Sequence, residues 1–203
     1  MINNLEIIKP LLNFENKGDF YMLYILKRKK DQPEGERDNH QSVRTIKTYC
    51  IESIEHLERR LGEIQDLCEM FKARAYIHVQ KQNHLDVSLN MMVALAQRIQ
   101  DGNHNQKGLF DSVVGQIKTH EKRWIVDIDT KDSPFVFEVI DFIKGIRPEG
   151  KKHEAIIPTK NGFHLITSRF DVKAFGEKYP EIDIQKKNPT LLYYPDSLDI
   201  LNY

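Results

Sequence analysis

The chain of 203 residues contains only two cysteines, Cys50 and Cys68. They supply neither metal-ligand spacing nor a disulfide framework, which excludes a zinc module and a disulfide-stapled scaffold. Both fall in apolar-periodic segments and read as reduced core residues. Net charge is also lacking, because 30 Lys plus Arg offset 30 Asp plus Glu. A protein that coats nucleic acid by bulk charge is thereby excluded, although a local basic channel is not. No apolar run approaches the roughly 18 residues of a membrane span. The first residues, Met1 to Glu6, lack the basic-then-apolar pattern of a secretory signal. Internal repeats and low-complexity segments are missing too. These absences lead us to expect a cytoplasmic protein without membrane contact, folded as one domain of two closely packed lobes.

A hydrophobic fraction of 40% with ten Phe is enough for a substantial core. Residues 1–19 read as a leader broken by Pro10. Phe20–Leu26, all apolar or aromatic, reads as a strand buried on both faces. Lys27-Arg28-Lys29-Lys30 closes it, either as a solvated strand end or as a phosphate contact. Asp31–Ser42 is polar, carries Pro33 and Gly35, and reads as a mobile loop. Val43–Ile51 reads as a second strand paired with the first. A helix capped by Ser53 should bury Ile54, Leu57, Leu61, Ile64, Cys68 and Phe71. Ala73–Gln80 reads as a half-buried strand. A helix from Asp86 or Ser88 should bury Met92, Leu95, Ala96 and Ile99, and Asp101-Gly102 ends it.

Leu109–Ile117 reads as a short helix and Arg123–Asp129 as a strand. A helix beginning at Ser133-Pro134 follows, then strands Glu154–Ile157 and Phe163–Phe170, a helix over Asp171–Tyr179, and a last strand Thr190–Tyr194. The alternation predicts an α/β or α+β protein with two sheet-bearing halves, about 20–105 and 106–203, divided in the polar stretch Asp101–Gly108.

Chemistry concentrates in two stretches. Trp124-Ile125-Val126 would deliver Asp127 and Asp129 to a strand end, on one face and roughly 7 Å apart at Cα. Like charges so placed need a cation, a proton or hydrogen bonds to compensate them. A solvated strand end followed by an ordinary turn is the alternative. The second stretch is the turn Pro158-Thr159-Lys160-Asn161-Gly162, which opens into a strand bearing His164. Turn N–H groups, the Thr159 hydroxyl, the Lys160 amine and His164 suit a polyphosphate, with Arg169 as a fixed charge further along. An Asn-Gly hairpin with a structural histidine is the alternative here.

Together, Ile125-Val126-Asp127-Ile128-Asp129 and Gly162-Phe163-His164 resemble the paired Asp-x-Asp and small-x-His motifs of the archaeo-eukaryotic primase superfamily. Thr159-Lys160-Asn161 is similar to the Ser-Gly-Lys turn before Gly-Leu-His in the polymerase domains of bacterial end-joining ligases. The resemblance covers Arg123–Asp171, and residues 20–100 only through their pattern of elements. It implies a two-lobed core, an N-terminal α/β unit packed on an RRM-like C-terminal unit. It also implies nucleotidyl transfer with Mg²⁺ or Mn²⁺ held by Asp127 and Asp129. Thr159, Lys160, Gly162, His164 and Arg169 would bind the nucleoside triphosphate.

The family's third carboxylate, a hydrophobic residue followed by Asp on a later strand, has no clean match. Asp196 after Pro195 is the candidate. Asp183 in Ile182-Asp183-Ile184 fits the pattern better but comes early. Single-stranded or primed nucleic acid would be the other substrate, with Lys151, Lys152, Lys173, Lys186 and Lys187 as a basic track. The resemblance admits a helicase partner, and the small size suits a detached module of a phage or mobile element. A metal-dependent nuclease using the same carboxylates and a catalytically inactive nucleotide- or nucleic-acid-binding relative are the competing readings.

Overall fold

A computed structural model describes residues 1–32, 43–117 and 122–198. Within them the fold is mixed α+β, with two antiparallel sheets and six α-helices. In chain order the elements begin with β1 (Ile2–Asn3), α1 (Leu5–Ile8), β2 (Asp19–Arg28) and β3 (Val43–Ile51). Then come α2 (Ile54–Phe71), β4 (Arg74–Ile77), β5 (Gln82–Asn83), α3 (His84–Gln100) and α4 (Leu109–Gln116). The rest are β6 (Trp124–Ile128), α5 (Ser133–Gly145), β7 (His153–Pro158), β8 (Phe163–Thr167), α6 (Val172–Lys178), β9 (Asp183–Gln185) and β10 (Thr190–Tyr194).

The first sheet runs β1-β10-β4-β2-β3, with β5 paired to the start of β2. The stretch Phe20–Leu26 of β2 is uninterruptedly apolar or aromatic because both its faces are covered. Tyr21, Leu23 and Ile25 face α2 through Leu57, Ile64 and Cys68. Phe20 and Met22 face the other way, onto Val87 of α3 and Leu109 and Val113 of α4. Ser53 caps α2 as its sequence predicts, its hydroxyl accepting from the His56 N–H.

The second sheet runs β7-β8-β6-β9. Trp124, Val126, Ile128 and Leu165 pack one face against α5 and α6, through Val136, Val139, Ile140, Ile143 and Phe175. Ile125, Ile157 and Ile166, on the other face, join the core of the first sheet. Alternation along β6 therefore sends one set of side chains to the helices and the other to the first sheet. Asp127 belongs to the second set, which is why it looks into the space between the sheets.

Several expectations need correction. The leader is part of the fold: β1 pairs with β10, and Leu5, Ile8, Leu11 and Leu12 are core residues. Asp31 and Gln32 are buried; the rest of the polar loop, 33–42, lies outside the described residues. β4 is buried throughout, not half-buried. α3 begins at His84, capped by the Asn83 side chain, and it packs through Val87, Met91, Ala94 and Leu95. Met92 and Ile99 are 69% and 53% exposed, so of the expected stripe only Leu95 packs inward.

The division of the halves also moves. α4 packs with the first sheet, and β10 returns to it, leaving the second sheet to residues 124–185. Among the described residues no helix is long and apolar enough to cross a membrane.

Candidate functional site

β6 is central in its sheet, and its Asp127 stands directly opposite His164 of β8 and Asp183 of β9. Opposed residues of antiparallel strands share a face, so the three form a row across the sheet. Asp129 follows two positions after Asp127, just beyond the strand end. Gln185 Nε2 donates to Asp127 Oδ2 at 3.0 Å. His164 Nε2 lies 3.4 Å from Asp127 Oδ1, and its Nδ1 lies 2.9 Å from the Thr190 hydroxyl of β10. One histidine thus links the carboxylate row of the second sheet to a strand of the first.

The electrostatics follow from this placement. Burial pushes the Asp127 carboxyl above its ordinary value, and the charges of Asp129 and Asp183 push it further. The Gln185 hydrogen bond and the Lys30 charge oppose the shift. Burial lowers the His164 imidazole to about 4. It is neutral near pH 7, and its contact with Asp127 is a polar contact between a neutral ring and a carboxylate.

The first sheet and the turn that follows β2 supply the facing wall of a cavity of about 300 Å³, lined there by Arg28, Lys30, Arg74 and Tyr76. Arg28 Nη1 donates to the Tyr76 hydroxyl at 3.1 Å. Arg74 is buried, paired with Asp31, and lies over the Tyr194 ring at 4.8 Å. Lys160 reaches the same ring from the turn after β7, at 5.3 Å. Carboxylates on one sheet therefore face cations on the other and at the rim.

The turn owes its shape to Gly162. A Cβ there would lie 1.9 Å from the Ile128 carbonyl oxygen and 2.7 Å from the Thr130 nitrogen. The close approach is to the end of β6, so the turn is pressed against the strand that carries the aspartates. The Thr159 N–H donates to the Gly162 carbonyl at 2.8 Å, and the Gly162 N–H donates to Thr159 Oγ1 at 3.1 Å. The Gly162 N–H is thereby used inside the turn, while Thr159, Lys160 and Asn161 line the cavity.

Of the residues singled out in the sequence, Asp127, Asp129, Thr159, Lys160 and His164 line this cavity, and Gly162 shapes it. Asp196 does not: its carboxylate pairs with the Met1 amino group, beyond β10. Arg169 is exposed and lines a different groove, beside Trp124 and Lys186. Lys152 leaves the basic track, since it is buried and its ammonium donates to the carbonyls of Ile143, Ile146 and Gly150 at the end of α5. Arg74, Gln185 and Thr190 join the site with no motif to mark them in the sequence. Arg28 and Lys30 are visible there only as members of a basic run; their i, i+2 spacing after Leu26 is the available signal.

Carboxylates crowded at the end of a buried strand suit a hard divalent cation by donor type. Among the described residues no three His, Cys, Asp or Glu side chains already converge on one point. Compared with protein-family models, curated proteins and solved structures, the chain matches none of them.

Proposed function

We propose that this protein is a metal-dependent nucleotidyltransferase of primase–polymerase type. It would act on nucleoside triphosphates and on single-stranded or primed nucleic acid, in a two-lobed primase-like core. One observation carries the reading: Asp127 and Asp129 share a single cavity with Arg28, Lys30, Arg74 and Lys160. That juxtaposition of acids and bases is complementary to a metal-bound triphosphate, whose cation and phosphates ask for opposite charges within a few ångströms.

Asp127 and Asp129, with Asp183 beside them, would hold Mg²⁺ or Mn²⁺. For the third carboxylate, Asp183 is a better candidate than Asp196, because it stands in register with Asp127. A cation held there would supply Lewis acidity toward phosphate oxygens and toward a 3′-hydroxyl. Gln185 orients the Asp127 carboxylate through Oδ2. His164 stays neutral, fixed by Thr190, and so offers a single N–H rather than a charge. Thr159, Lys160, Arg28 and Lys30 present donors to the phosphates, and Arg28 is held in place by Tyr76.

The test is a labelled primer–template incubated with Mn²⁺, with and without deoxynucleoside triphosphates, for wild type and Asp127→Asn. Extension that requires the triphosphates and is lost in the variant is the expected result. Shortening of the primer without triphosphates supports the nuclease instead. No change of length in either direction contradicts the proposal.

A further inference from the structure

The second basic surface lies around the edge strand β9, outside the cavity between the sheets. A groove of about 440 Å³ is lined by Lys122, Arg169, Lys186, Lys187 and Trp124. All four cations are exposed, and none pairs with a carboxylate among the described residues. No acidic side chain is among those lining the groove. In a chain with no net charge, four cations grouped without an acidic residue in the lining are a local departure from the average.

The groove is also held in shape. Trp124 forms its floor, with the Lys186 ammonium 5.0 Å from the ring centroid. Lys187 Nζ donates to the Gly115 carbonyl at 2.6 Å. Gln80 Nε2 donates to the carbonyls of both Arg123 (3.0 Å) and Lys186 (2.6 Å), tying the end of β9 to the first-sheet half.

The groove adjoins the carboxylate cavity through a single short segment. Gln185 points to Asp127 and lines the cavity; the next two residues, Lys186 and Lys187, line the groove; Asn188 and Pro189 return to the cavity. The chain leaving this edge strand thus carries a positive track on one side and the catalytic candidates on the other.

We infer that this groove binds the sugar–phosphate backbone of a single-stranded polynucleotide and leads it to the cavity between the sheets. The role of that strand as template or primer rests on the nucleotidyltransferase reading above; binding itself does not. Trp124 is only 9% exposed and already covered by Lys186, so it offers no open face for base stacking. The groove meets phosphates and carries no sequence preference.

The experiment is fluorescence anisotropy with a labelled oligodeoxythymidylate across a salt series. It compares wild type with the triple variant Arg169→Ala/Lys186→Ala/Lys187→Ala. Melting curves verify that the exposed substitutions leave the fold intact. The triple variant is expected to bind roughly ten-fold or more weakly. Its slope of log affinity against log salt should be smaller by about 2, since each phosphate left without its cation removes ~0.7. An oligodeoxycytidylate should bind with similar affinity.

Wild-type affinity and slope retained in the triple variant overturn the inference, as does absence of oligonucleotide binding by wild type. Oligonucleotide binding abolished in the triple variant, together with no primer extension by wild type, upholds the groove and removes the nucleotidyltransferase reading. The two failures are therefore distinguishable.

Discussion

His164 Nε2 lies 3.4 Å from Asp127 Oδ1, across two antiparallel strands in which these residues are direct partners. Burial holds the imidazole at about 4, against an ordinary value of about 6.5. Between those values the unfolded chain binds a proton that the folded protein refuses, so stability falls as pH falls through the window. A shift of that size corresponds to about 3 kcal/mol. Asp127, whose carboxyl is raised, acts with the opposite sign: ionising it costs stability, and some is recovered as it protonates. His78, also held at about 4 by burial, adds a second loss in the same window as His164. His164→Gln should therefore lose about 2–3 kcal/mol less than wild type between pH 7 and about 4. Urea denaturation at a series of pH values measures it, and parallel curves would contradict the assignment.

Gly162→Ala should destabilise the protein by about 1–3 kcal/mol, the usual cost of overpacking. The added Cβ would meet the Ile128 carbonyl at 1.9 Å, and both partners are backbone, with no flexible side-chain end to yield. Equilibrium unfolding reads the loss. A variant as stable as wild type would show that the turn and the end of β6 are not pressed together.

Asp31 and Arg74 form a buried pair beneath the cavity, their side chains 6% and 8% exposed. Asp31→Ala leaves the guanidinium buried without its carboxylate and should cost about 3–5 kcal/mol. Replacing both residues by apolar ones of similar volume should recover much of that loss. Unfolding curves of the single and double variants test this; equal stability of Asp31→Ala and wild type would contradict it.

The Asp127 carboxyl is raised partly by the charge of Asp183. Asp183→Asn should move it down toward the ordinary carboxylate range, and ¹³C-detected titration of the side-chain carboxyl follows the shift directly. A carboxyl that titrates unchanged would mean that the two strands do not hold these charges face to face.

Much of this arrangement is legible in the amino-acid sequence, for identifiable reasons. β2 and β6 each contain a short apolar run, Phe20–Leu26 and Trp124–Val126, packed on both faces, and such runs announce themselves without tertiary information. The helix cap at Ser53 and the proline at the start of α5 are local signals, and both elements begin where those residues predict.

What escapes a reading of the sequence depends on pairing over long distances. β9, Asp183-Ile184-Gln185, has no apolar run and is a strand only because β6 lies beside it. Asp183 can therefore be suspected from its neighbours, but not set opposite Asp127. β10 carries a strong strand pattern, yet nothing local assigns it to the first sheet, where Thr190 meets His164. α3 bears apolar residues on two faces. The face turned to the core, Val87, Met91, Ala94 and Leu95, is no more apolar in pattern than the exposed one.

The central claim is that the cavity between the sheets holds a metal-bound nucleoside triphosphate through Asp127 and Asp129. Isothermal titration of a deoxynucleoside triphosphate into wild type and Asp127→Asn, with Mn²⁺ and with chelator, tests it most directly. The account predicts binding to wild type that requires Mn²⁺ and is abolished in Asp127→Asn. Binding that is equally strong with chelator, or unchanged by the substitution, would contradict it.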